Sequence, residues 1–130
     1  MLESSIDIEV RYAETDQMGI VYHANYLVWF EVARIRLLAD AGLHYTEIEA
    51  DGLRIPVLAA HLEYHQPVVF GETVRVTARV SERPRVRFGV DYQVAVAETT
   101  RASGYTVHAF MTSQNRPTRP PPAFMALFSG

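Results

Sequence analysis

Between Tyr12 and Arg34 the chain reads YAETDQMGIVYHANYLVWFEVAR, and the order of residue types in that run carries the strongest chemical signal of the sequence. Asp16 and Gly19 lie in a polar loop, and His23 stands directly before a long apolar stretch. A carboxylate set before a helix start faces unpaired backbone N–H groups and the positive end of the helix dipole. Such a pair can bind a carbonyl group and attack it. The amides stabilise the oxygen on which charge develops, and one such donor is worth on the order of 100- to 1000-fold in rate. The carboxylate can act as a nucleophile, giving an anhydride, or as a general base on water. A histidine beside it can orient water or protonate a leaving group near neutral pH, or can contribute its backbone alone.

Positioning these groups requires a frame, and the hydrophobic periodicity supplies one. Ile6, Ile8 and Val10 alternate with Asp7, Glu9 and Arg11, which predicts a half-buried strand over 6–11. Residues 24–41 read as one helix with Gly42 as its C′ stop. Its polar positions are few, so most of its circumference must be enclosed by other structure. A short helical turn is expected over 46–51. Beyond Leu53 the pattern is of strands: Leu58 to Tyr64, Thr73 to Val80, Val86 to Val96 and Tyr105 to Met111. The turns between them are expected at Phe70-Gly71, Arg83-Pro84 and Ser103-Gly104. The apolar segment Ala123 to Phe128, after a proline-rich stretch, is expected to dock as a terminal helix. One strand, one long helix and then consecutive strands give an α+β domain, most economically a curved antiparallel sheet wrapped around the helix. A single domain over residues 1–130 is expected.

Composition narrows the function classes. A net charge of −3 argues against a nucleic-acid surface, which needs clustered Lys and Arg. The absence of cysteine excludes disulfides, thiolate nucleophiles and Cys-based zinc sites. The start MLESSIDIEV lacks the basic and apolar regions of a signal peptide, and no run approaches the ~20 apolar residues of a membrane span. A cytoplasmic protein without membrane insertion is expected. His61 and His65 resemble a zincin motif only superficially: on a strand they would stand ~13 Å apart, too far to share a metal. No phosphate-binding glycine motif is present, so neither metal nor cofactor is implied.

The segment Tyr-x-x-x-Asp-x-x-Gly-Ile-Val-Tyr-His-x-x-Tyr from Tyr12 to Tyr26, followed by Trp29-Phe30-Glu31, Arg34, Tyr64-x-x-Pro67 and Gly71-Glu72, resembles the hotdog-fold acyl-CoA thioesterases. The likeness is to the 4-hydroxybenzoyl-CoA thioesterase family, including its Tol–Pal-associated branch, and it covers nearly the whole chain. It implies a hotdog fold with the long helix as the filling, an acyl-CoA substrate, and active sites at the boundaries of a homodimer or dimer of dimers. A homo-oligomer is also expected on physical grounds, since one sheet layer around one helix leaves an edge strand and an apolar flank open. By resemblance, the backbone of His23 is the oxyanion donor, Asp16 the nucleophile or base, and Tyr12 and His23 accompany it. Gly19, Tyr22 and Tyr26 are the neighbouring candidates for substrate contact. Arg83, Arg85 and Arg87 alternate, so on a strand they would share one face and form either a clamp for coenzyme A phosphates or a solvated edge. Glu31 either faces the pocket or pairs with Arg34 at i+3. Two other functions are considered: a non-catalytic acyl-CoA or acyl-carrier-protein binding module, and a hotdog hydratase or dehydratase.

Overall fold

The computed structural model describes residues 1–128. In chain order the elements are β1 (Leu2–Glu9), a single 3-10 turn (Tyr12–Glu14), α1 (Asn25–Asp40), α2 (Tyr45–Ala50), β2 (Leu53–Arg54), β3 (Val57–Tyr64), β4 (Thr73–Val80), β5 (Arg87–Val96), β6 (Thr99–Thr112), β7 (Pro117–Thr118) and α3 (Pro122–Ala126). The strands form one antiparallel sheet in the order β1-β4-β5-β6, with β3, β2 and β7 pairing on β6. This is the hotdog arrangement, α1 lying against the sheet closest to β1 and β4.

Alternation decides the sheet. Val74, Val76, Ala78 and Val80 of β4 and Phe88, Val90, Tyr92 and Val94 of β5 all point inward and are buried. They receive Tyr26, Trp29, Phe30, Ala33, Leu37 and Leu38 from one face of α1. Phe30 stacks on Tyr92 with centroids 4.1 Å apart. The helix ends as its glycine predicts: Gly42 has φ +90°, its N–H bonds Ala39 O, and Leu43 N–H bonds Leu38 O. That pair of bonds caps the last carbonyls. α3 seats Phe124 against Phe88 and Phe110.

Four expectations are corrected. The first strand begins at Leu2 and ends at Glu9, because Arg11 already enters the turn that carries Glu14. Ser103-Gly104 is not a turn but the middle of β6; the reversal is at Ala97-Glu98, with Ala97 at φ +52°. Gly104 is required there for another reason, since a Cβ would collide with the His61 carbonyl of the neighbouring strand. Arg83 and Arg85 lie in the loop before β5, which begins only at Arg87, so strand alternation does not align the three arginines. Finally, Glu31 forms no ion pair with Arg34: the Arg34 side chain turns inward and donates to the Tyr92 hydroxyl at 3.0 Å.

Enclosure of α1 is also incomplete in the single chain. Leu27, Val28, Val32 and Ile35 remain 38% to 52% exposed on its second face. Beside them, β3 is exposed at every position except the half-buried Leu62 and, among the described residues, pairs on one side only, with β6. The second face of α1 and the free edge of β3 thus adjoin, leaving the core without a cover on that flank.

Candidate active site

The loop after β1 is folded by its own polar groups. Gly19 N–H bonds Asp16 O at 3.0 Å and Asp16 N–H bonds Ile20 O at 2.9 Å. Gly19 takes φ +79°, a conformation that a glycine adopts without strain. The turn is held to the body by Val21 N–H on Val68 O at 2.8 Å and by a bridge between Ile20 and Val69. Within it, Asp16 Oδ1 accepts the Met18 N–H at 2.8 Å, which orients the carboxylate and leaves Oδ2 without a bond among the described residues.

The junction with the helix is fixed from three sides. Tyr22 N–H and the Asn25 Nδ2 group both donate to Glu14 O, at 2.9 and 2.8 Å. The Glu14 carboxylate is buried and accepts the Trp29 indole N–H at 2.9 Å and the Arg11 backbone N–H at 2.8 Å. Burial alone would raise its pKa, but those two donors and the Arg11 guanidinium outweigh it and hold the carboxyl below the usual glutamate range. From the opposite side, the Tyr64 hydroxyl donates to His23 O at 2.9 Å. The helix has no side-chain N-cap, and the N–H groups of His23 and Ala24 meet no acceptor among the described residues.

These elements enclose a cleft of about 350 Å³ lined by Asp16, His23, Tyr26, Tyr64, His65 and Pro67, among others. Tyr26 is buried against Tyr64, their rings 5.2 Å apart and nearly perpendicular. Burial, and then the Tyr64 phenol beside it, raises the Tyr26 hydroxyl above its ordinary range, so it stays a neutral donor. The wall containing Pro67 is braced by Arg101, which donates to Pro67 O at 2.7 Å and pairs with Glu72 at 3.1 Å.

Of the residues expected at the site, Asp16, His23 and Tyr26 are brought together. Gly19 shapes the turn, and the Tyr22 ring packs 4.3 Å from the His23 ring at the rim. Tyr12 stands outside the cleft: it is 77% exposed, with its ring edge-on to Phe70. Arg83, Arg85 and Arg87 line a second concavity of about 580 Å³ together with Phe88. Phe88 pairs with His108 and Tyr64 with Ala102 along β6. That separation along one strand is about 20 Å, so in one protomer the arginines lie at the far end of the sheet from Asp16. Two residues that hold the site together were given no role from sequence, Glu14 and Tyr64. Tyr64 had a signal in Tyr64-x-x-Pro67; Glu14, one acidic residue in a polar loop, had none.

Residues 10–128 match the thioesterase-like superfamily. The chain belongs to that superfamily. Among curated relatives of this thioesterase-like chain, a putative acyl-CoA thioesterase of Bacillus subtilis is 55% identical over 73 residues, 56% of this chain and 53% of that protein. The match thus spans about half the length of that relative. A DHNA-CoA thioesterase structure from Staphylococcus aureus superposes with a TM-score of 0.87 at 33% identity, covering 92% of this chain and 81% of that one. A 4-hydroxybenzoyl-CoA thioesterase mutant in complex with 4-hydroxybenzoyl-CoA has a TM-score of 0.90 over 99% of this chain and all of that one; at 14% identity it establishes the shared hotdog fold.

Proposed function

We propose that this chain hydrolyses acyl-CoA thioesters to a free acid and coenzyme A. The observation that carries the reading is the cleft onto which the Asp16 carboxylate and the helix start at His23 both open. The thioester oxygen accepts from the unpaired amides of His23 and Ala24, which act as the oxyanion donors. The free Oδ2 of Asp16 attacks the carbonyl carbon, expelling the thiolate to leave an anhydride that water then opens to the free acid, or takes a proton from a water that attacks the carbonyl directly. The His23 imidazole protonates the departing thiolate. Tyr12, which the resemblance places beside Asp16, stands exposed outside the cleft and takes no step in this reading. Hydrolysis consumes only water and needs no cofactor. An aromatic acyl group is the preferred substrate, an assignment supported by Tyr26 and Tyr64 in the cleft wall and by the name of the Staphylococcus aureus relative.

The working unit is a homodimer of single-domain chains in the cytoplasm, able to pair again into a tetramer. No helix among the described residues is long and apolar enough to cross a membrane. Pairing two β3 edges antiparallel covers the open flank. It also sets the Val57 end of one β3 beside the Tyr64 end of the other. Because Arg83, Arg85 and Arg87 lie at the Val57 end, those of the partner subunit come to the cleft, where they bind the phosphates of coenzyme A.

Asp16→Asn decides the chemical part. It keeps the Met18 hydrogen bond through the amide oxygen yet removes the nucleophile or base, so kcat should fall on the order of 100- to 10,000-fold. Circular dichroism and sedimentation should be unchanged. Turnover at the wild-type rate, read by thiol release from benzoyl-, hydroxyaryl- and palmitoyl-CoA, would remove Asp16 from the mechanism.

A further inference from the structure

The uncovered flank of α1 contains a charge that the described residues of the single chain do not balance. Arg34 is 7% exposed, and among the described residues its side chain has one hydrogen bond, to the Tyr92 hydroxyl, and no carboxylate within ion-pair distance. It opens onto a groove of about 270 Å³ between α1 and β3, lined by Leu27, Val28, Val57 and Ala60 and bordered by Glu31. Its guanidinium nitrogens that lack a hydrogen bond still reach solvent through this groove, and covering the groove without supplying an anion would be strongly unfavourable. Glu31 presents the converse: an exposed carboxylate with no ion-pair partner among the described residues, one helical turn from Arg34.

We propose that Glu31 of the partner subunit supplies the carboxylate that Arg34 lacks, and that the pair repeats with the roles exchanged across a twofold axis. This rests on the two-copy arrangement above and adds to it the contact that sets its register. Both members of the pair lie on one face of one helix, so the surface is complementary to itself, as a twofold interface requires. Two α1 helices crossing antiparallel with the axis near residues 31–34 bring each Glu31 to the other's Arg34. The same crossing sets Val28 towards Ile35 of the partner subunit, covering the apolar positions that the chain leaves open. The free edges of β3 flank the same groove and pair under the same axis. Arg34 then joins the two protomers to a buried chain of hydrogen bonds running through Tyr92, Thr106 and His108 to the carbonyl of Pro56.

The experiment uses two charge reversals, Glu31→Arg and Arg34→Glu, with mass read by sedimentation equilibrium and native mass spectrometry. Each variant alone opposes like charges across the axis twice, so its dimer dissociation constant should rise at least about tenfold. Mixed in equal amounts, the two should form heterodimers, since both pairs across that axis are then of opposite charge. If Glu31 instead serves Arg34 of its own chain, mixing restores nothing, and that result overturns the proposal. So does a Glu31→Arg dimer as tight as wild type. If Arg34→Glu does not fold, a cycle of Glu31→Gln, Arg34→Met and the double variant replaces it: coupling supports the pair, and additive effects on dimerisation refute it. A wild type that is monomeric throughout would refute the two-copy arrangement itself, whereas a wild-type dimer indifferent to Glu31 refutes only this contact.

Discussion

At the scale of single residues, two carboxylates two positions apart have been given opposite environments. Asp16 sits at the cleft with one oxygen tethered by a backbone N–H and the other free. Glu14 is buried, with both oxygens engaged. The first suits reaction and the second suits holding still: the Glu14 backbone and side chain together tie Arg11, Tyr22, Asn25 and Trp29 around the loop. Replacing Glu14 by Gln puts an NH2 group where the carboxylate accepted a donor. The stability loss should be about 1–3 kcal/mol, and kcat should fall roughly ten- to a hundredfold as the amides at His23 shift from the carbonyl. Stability is read by urea unfolding and kcat by thiol release. An active, destabilised variant would show that Glu14 serves the fold alone. The folded-state pKa of Glu14 is lowered, so its contribution is present above the ordinary glutamate range and is lost as pH falls through the folded value.

At the scale of elements, what was legible in the sequence follows how locally each signal is written. α1 was readable because its periodicity and Gly42 lie within the element; its observed bounds differ by one residue at each end. The start of β6 was not, because Ser103-Gly104 has the composition of a turn and only the His61 backbone on a neighbouring strand reveals why a glycine is needed. The inward turn of Arg34 was hidden for the same reason, since its partner Tyr92 is 58 positions away. That partner belongs to a β5–β6 network ending in His108, which is fully buried and bonded to Thr106 and the Pro56 carbonyl. Burial first, and then the nearby Arg34 charge, lowers the His108 pKa to about 4. Between the ordinary histidine value and that one the unfolded chain binds more protons, so stability falls as pH drops across this window. The whole change amounts to roughly 3 kcal/mol. Denaturant unfolding at pH 7 and pH 4.5 should show most of this loss in the wild type and a smaller one in His108→Gln; equal losses would assign it to other groups.

At the scale of the whole molecule, the sequence showed that the fold was unfinished without showing where its pieces would meet. Apolar positions around most of α1 predicted enclosure, and the single chain provides it on one face. The arginines illustrate the difference between proximity in sequence and proximity in assembly. As a spacing pattern they imply either a clamp or a solvated edge; in one protomer they lie about 20 Å along β6 from the register of Tyr64, which lines the cleft; an antiparallel β3 pairing would return them to the cleft of the neighbour. This yields a prediction about division of labour. Substituting Arg83, Arg85 and Arg87 together by Gln should raise KM for acyl-CoA about tenfold or more while leaving kcat close to wild type, because a phosphate clamp binds ground and transition states alike. The wild-type KM should climb with salt, and that slope should flatten in the triple variant as screened phosphate contacts disappear. A truncated thioester carrying pantetheine without the nucleotide should be hydrolysed equally by both proteins. If the variant instead loses kcat with both substrates, the arginines support the fold of the loop before β5, and coenzyme A must be held elsewhere.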